Sequence, residues 1–143
     1  MTPTTLPPLM VAPAQVHRGA GILAELGAAI AALGNRPLVI GGDRSLTTAE
    51  PLLAPALADL TVATASYGAD CSEDTLARLG EAIAAHQADV MIGVGGGKAL
   101  DTAKLVAHQA QLPVITIPTS AATCAAWTAL SNVYSDAGAF LYD

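Results

Sequence analysis

The segment VMIGVGGGKALDTAK, residues 90–104, restricts the fold of this 143-residue chain more than any other stretch. A short apolar run that reads as a buried strand empties into three consecutive glycines and then into a helical pattern starting at Lys98. A strand that feeds a packed helix in this way belongs to a parallel sheet covered by helices. Glycines at such a turn have two readings. They let bare backbone N–H groups approach an anion at the positive end of the helix, or they let the helix pack close against its strand. Lys98 adds a mobile positive charge in the first turn, and Asp101, three residues on, can pair with it or accept from a hydroxyl. A phosphate is therefore the expected guest. Two common nucleotide patterns do not fit: GxxxxGK[ST] requires Ser or Thr where Ala99 stands, and GxGxxG fails because Lys98 occupies its last position.

The remainder of the chain repeats the alternation. Residues 9–13 read as a short first strand, and from Arg18 the residues Ile22, Leu23, Leu26, Ile30 and Leu33 recur at helical spacing until Gly34 and Asn35. PLVIGG, residues 37–42, is a strand closed by glycines and followed by Asp43. Ser45 is placed to cap a helix over 46–58, which Pro51 and Pro55 should shorten, kink or restart. A strand over 60–66, a helix entered through Ser72, Glu73 and Asp74, a strand over 89–93, a helix over 98–109 and a strand over 112–118 follow. Residues 133–140 read as a hairpin turning at Asp136, Ala137 and Gly138. The order demands parallel pairing with right-handed crossovers, hence an α/β, doubly wound parallel sheet of Rossmann-like type with a C-terminal hairpin. Residues 1–8 are expected to be a disordered start and 9–143 one nucleotide-binding domain. With 52% apolar but only 3% aromatic residues, its core must be built from Ala, Val, Leu and Ile.

A net charge of -6 with six scattered Lys and Arg offers no basic stripe for nucleic acid. No basic residue precedes Arg18 and no export signal is visible, so the expected location is cytoplasmic. Residues 105–135 lack Asp, Glu, Lys and Arg, but prolines, Asn132 and many hydroxyls argue for buried protein beside a pocket instead of a membrane span. Cys71 and Cys124 show no metal or disulfide spacing.

A dinucleotide also needs an acceptor for its ribose. Asp43, at the end of another strand of the same sheet, can supply it, or can serve as a solvated turn residue or helix cap. Arg44 beside it leaves room for a 2′-phosphate, so NAD and NADP both stay open. Cys124 has no neighbouring His or acid to make it a nucleophile and reads as a buried, unreactive thiol. Trp127 either fills core space or faces a substrate. His108 reads as a surface or core-edge residue, and Lys104 as a solvated helix residue whose stem packs on the sheet.

GGGKALDTAK followed by IPTSAATCAAWTALSNVY resembles the glycerol dehydrogenase branch of the iron-containing alcohol dehydrogenase superfamily, with weaker agreement in VIGGDRS. The glycine motif by itself also fits dehydroquinate synthases and glycerol-1-phosphate dehydrogenases; the lysine, DTAK and the Thr-rich loop are closer to glycerol dehydrogenases. The resemblance implies that Asp43 meets the adenosine ribose and that Gly95, Gly96, Gly97 and Lys98 hold the pyrophosphate of NAD or NADP. It implies that Thr119 and Ala122 border the cofactor, and that Thr128, Leu130 and Tyr134 line the nicotinamide side. In such proteins a divalent metal, Zn or Fe, held by an Asp and two His of a second, helical domain, polarises the substrate oxygen before hydride transfer. That domain is expected outside this chain, which would then turn over no substrate alone. Cys124 stands where the branch has an aspartate touching substrate hydroxyls, and a thiol cannot replace a carboxylate there. His17, His86 and His108 lack paired-ligand spacing.

The leading expectation is the nucleotide-binding half of a metal-dependent oxidoreductase acting on a small alcohol or polyol, or on the corresponding carbonyl. The alternatives are a nucleotide-binding module or inactive relative, and a lyase-type reaction using NAD transiently. A homo-oligomer is compatible with the apolar surface that such a half would expose.

Overall fold

The computed structural model describes residues 12–68, 70–135 and 139–142. Four parallel strands form its centre: β1 (Pro37–Gly41), β2 (Ala63–Ser66), β3 (Val90–Gly95) and β4 (Val114–Pro118). They lie in the order β2-β1-β3-β4, with Val39 opposite both Thr64 and Ile92, and Ile92 opposite Ile115. Helices α2 (Asp43–Leu57), α3 (Glu73–His86) and α4 (Gly97–Gln109) make the crossovers, and α1 (Gly27–Ala31) precedes them. Strands β5 (Val133–Tyr134) and β6 (Phe140–Tyr142) pair antiparallel. The doubly wound reading holds.

Alternation along the strands explains why helices cover both faces. Leu38, Ile40 and Met91 point to one side, against Leu76 and Leu79 of α3 and Ala103, Val106 and Ala107 of α4. Val39, Ile92, Val94 and Ile117 point to the other, against Ile30 of α1 and Ala49, Leu53 and Ala56 of α2. Small residues permit close layers: a Cβ on Gly93 would lie 2.4 Å from that of Ala103, so α4 rides directly on β3.

Several elements depart from expectation. Of the strand expected over 9–13, residues 9–11 lie outside the described residues, and Ala12 and Pro13 are not in a strand. The helix expected from Arg18 to Leu33 is a 3-10 turn (Ile22–Glu25) and the separate α1. Gly21 at φ 74° cannot sit in a right-handed helix, and Gly27 approaches α2 so closely that a Cβ would lie 3.1 Å from the Ala56 carbonyl oxygen. Helix α2 starts at Asp43 with Gly42 as its N-cap, so Ser45 is inside it and does not cap it. It also runs unbroken through Pro51 and Pro55. Both prolines are exposed, so the carbonyls they deprive of a partner can turn to water while Ala49, Leu53 and Ala56 hold the helix down. The expected disordered start at 1–8 and the hairpin turn at Asp136, Ala137 and Gly138 lie outside the described residues.

At the N-terminal ends of the strands, polar groups close on one another. Asp89 accepts from the N–H groups of Asn35 (2.9 Å) and Arg36 (2.7 Å). The Arg36 guanidinium donates to the His86 carbonyl at 3.0 and 2.7 Å, satisfying the end of α3. Burial pushes the Asp89 carboxyl up, but those N–H groups and the Arg36 charge outweigh it and hold it below the ordinary carboxylate value.

Candidate dinucleotide site at the strand ends

The chain leaves β1 through α2 on one face of the sheet and leaves β3 through α4 on the other, toward opposite edges. This is a topological switch point, where ligands of open α/β sheets lodge beyond the carboxyl ends of the strands. Both helices that start there have glycine N-caps, Gly42 and Gly96, and neither has a side-chain cap. Helix α3, away from the switch, is capped by Ser72, whose hydroxyl accepts from the Thr75 N–H at 3.4 Å. Helices α2 and α4 thus keep first-turn donors for something other than their own side chains.

The three glycines before Lys98 divide between the two readings. Gly95 has φ 150°, and a Cβ there would lie 2.8 Å from that of Ala99, so it is a packing glycine. A Cβ on Gly97 would come within 3.2 Å of the Thr123 hydroxyl. Gly96 has an ordinary extended backbone, and a Cβ would meet nothing within 4 Å. Its bare surface faces open space, which is the opening a phosphate needs.

Asp43 and Arg44 are exposed in the first turn of α2. Thr119 donates its N–H to the Gly95 carbonyl (3.0 Å), tying the exit of β4 to the glycine turn. The Lys98 ammonium pairs with Asp70, not with Asp101, and stands 5.5 Å from the centre of the Tyr134 ring. The hydrogen bond to Asp70 raises its pKa. Tyr134 also meets Phe140 edge to face at 6.2 Å. Tyr67 lies beside Gly42, and burial raises its pKa, the Lys98 charge opposing.

Asp101 and Lys104 correct two expectations. They form a buried ion pair at 3.0 Å, with only 8% and 9% of their side chains exposed. Lys104 is therefore no solvated residue: it donates to the Thr128 carbonyl (3.1 Å) and to that of Leu130. Asp101 accepts from the N–H and side-chain amide of Asn132 at 3.3 and 3.4 Å. The sequence held a signal for this. Leu100, Ala103 and Ala107 form the inward stripe of α4, and position 104 lies on that stripe by helical spacing. Asp70 carried no such signal, being 28 residues from Lys98.

The segment after β4 carries the remaining candidates. Ala122 is exposed and donates to the Ser120 hydroxyl at 3.2 Å. Cys124 is exposed, against the expectation of a buried thiol, and Cys71 is the buried one. Trp127 is half-exposed and borders two shallow clefts, so it is not core filling. One, of about 390 Å³, is walled by Thr119, Ser120 and Thr123; the other, of about 280 Å³, by Lys104, Thr116 and Thr128. Leu130 is exposed. His17 lies in the loop before the first helical turn, His86 ends α3 and His108 is near the end of α4, and among the described residues no three His, Cys, Asp or Glu side chains converge to hold a metal ion. No described helix is long and apolar enough to cross a membrane.

The chain is similar along its whole length to an uncharacterized oxidoreductase of Synechocystis sp., with 48% identity over 147 residues. Over 92% of its length it is 36% identical to a glycerol dehydrogenase of Escherichia coli O6:H1. It spans 38% and 36% of those two proteins. Among solved structures, a probable glycerol dehydrogenase from Sinorhizobium meliloti superposes with a TM-score of 0.74 at 29% identity, covering 86% of this chain and 33% of that one. Maleylacetate reductase from Agrobacterium tumefaciens gives 0.78 at 26% identity, covering 96% and 40%. The family model for iron-containing alcohol dehydrogenase matches residues 13–140, and the chain belongs to that family.

Proposed function

We propose that this domain binds NAD or NADP at the β1–β3 switch point and forms the nucleotide-binding part of a dehydrogenase acting on a small alcohol or polyol, or on the corresponding carbonyl. The observation that carries the reading is the opening at Gly96, where the N-terminus of α4 has no side-chain cap and no room is taken by a Cβ. Backbone N–H groups there donate to the diphosphate, and Lys98 swings from Asp70 to neutralise it. Asp43, in the first turn of α2, accepts from the adenosine ribose hydroxyls. Thr119 and Ala122 border the dinucleotide, and Thr128, Leu130 and Tyr134 form the wall on its nicotinamide side. When bound, the nicotinamide supplies the site that accepts or gives up hydride.

Among the described residues no cluster of His, Cys, Asp or Glu side chains fits a catalytic metal. Exposed Cys124 lies in the turn that carries Trp127, its carbonyl accepting from the Trp127 N–H at 2.8 Å. A thiol offers a substrate hydroxyl a weaker acceptor than a carboxylate, which favours substrates with few hydroxyls. Calorimetric titration with NAD and NADP tests the reading. Binding that weakens at least about tenfold in Lys98→Ala supports it. Absence of binding to the unaltered protein sinks it.

A further inference from the structure

We propose that Asp101 and Lys104 are positioning residues that fix the wall on the nicotinamide side. The inference rests on the dinucleotide reading above and concerns residues that reading leaves without a role. Residues 119–132 contain no helix or strand. Ala125 and Ala126 pack on Leu100, but Trp127 and Leu130 expose half or more of their surface, so apolar burial does not fix the run from 127 to 132. Its backbone is held instead by charge. The ammonium of Lys104 meets the Thr128 and Leu130 carbonyls and Asp101, which occupies its donors. The other oxygen of Asp101 accepts from the backbone N–H and the side-chain amide of Asn132. Alternate residues 128, 130 and 132 are thus gripped from one side, as a partner strand would grip them.

A buried ion pair is seldom the most stabilising way to fill a core, since apolar residues of similar volume do as well or better. What this pair supplies is one defined course for the loop. Lys104 lies about 9 Å along α4 from Lys98. One rigid helix therefore carries the diphosphate turn at its start and the clamp for Thr128 and Leu130 farther along, which sets the spacing between the two ends of the site.

The test is the double variant Asp101→Asn/Lys104→Met, which removes both charges together and strands neither. Affinities are measured for NAD and for ADP-ribose, which has the diphosphate but no nicotinamide. A loop released from its clamp weakens NAD about tenfold or more while ADP-ribose stays within about twofold. Hydrogen exchange across 127–132 should also quicken. If both ligands weaken equally, the pair is merely structural and the proposal is overturned; if neither weakens, it is overturned as well. Should the double variant fail to fold, Asn132→Ala, at an exposed position, is expected to show the same split at about threefold, and no split there overturns the proposal. Failure of the unaltered protein to bind either ligand overturns the dinucleotide reading itself, a result distinct from binding without a split.

Discussion

Adjacent glycines to which the proposed site gives opposite duties provide its sharpest test. In Gly96→Ala the new Cβ meets nothing within 4 Å and the backbone, at φ -84° and ψ -171°, is one that alanine adopts freely. Two small effects oppose each other. Restricting the unfolded chain stabilises by about 0.4–1 kcal/mol, and replacing a glycine N-cap by alanine loses a similar amount. The net change in stability should stay within about 0.5 kcal/mol. In Gly95→Ala, φ 150° is a conformation essentially reserved for glycine, worth about 1–3 kcal/mol of strain. A Cβ placed 2.8 Å from that of Ala99 adds about 1–3 kcal/mol of overpacking, for a loss of roughly 2–6 kcal/mol in all. Affinity should run the other way. On the proposed reading, the methyl introduced by Gly96→Ala would occupy the approach of the diphosphate and remove a charge-assisted hydrogen bond of about 1.5–3 kcal/mol, roughly a ten- to hundredfold rise in Kd for NAD. Urea unfolding followed by far-ultraviolet circular dichroism, with calorimetric titration on the folded variants, measures both. A Gly96→Ala protein that is markedly destabilised, or that binds NAD as well as its parent, would refute the division of labour.

Asp70→Asn frees Lys98 from an exposed ion pair at a stability cost within about 1 kcal/mol, and should tighten NAD binding by up to about fivefold at low salt; weaker binding would contradict the exchange of partners. Ser72→Ala removes the one side-chain cap among α2, α3 and α4 and should destabilise by about 1 kcal/mol in urea unfolding without changing NAD affinity. Asp89 has a folded pKa below its unfolded value, so its contribution is complete above about pH 4 and is lost as pH falls through the folded value. Unfolding midpoints compared from pH 6 down to about 3 should fall less steeply in Asp89→Asn than in the parent, and parallel profiles would exclude this role.

Features set by neighbours in sequence were legible from the chain itself. Alternating strands and helices, the Ser72 cap and the glycine turn each rest on local spacing, and all four parallel strands stand where the apolar runs placed them, within a few residues. What stayed hidden depends on contacts between distant segments. The split near Leu26 follows from the approach of Gly27 to Ala56, a contact between separate helices. The persistence of α2 through two prolines follows from where its packed face lies. Lysine on a helix is ordinarily solvated, so the sequence pattern places Lys104 in water although its stripe faces inward. Its acceptors belong to a loop more than twenty residues on, which no helical period can announce.

The two ends of the sheet differ in how their backbone donors are engaged. At the N-terminal ends, Asp89, Arg36 and His86 answer the backbone groups of the turn and of the α3 terminus, and His86 in turn meets the Thr61 carbonyl at 3.0 Å. A ligand has little to gain there, because the donors around that turn are already engaged. At the C-terminal ends, glycine N-caps take the place of side-chain caps on α2 and α4, and helical dipoles of the same sign converge from two elements. Such an arrangement forgoes only about a few tenths of a kcal/mol of capping at each helix and leaves the first-turn N–H groups without a side-chain acceptor. An anion seated there supplies that acceptor. Occupancy by a dinucleotide should therefore raise the unfolding temperature, by more in Asp70→Asn than in the parent and by less in Lys98→Ala, and a thermal shift that ignores both substitutions would remove the electrostatic basis of the site.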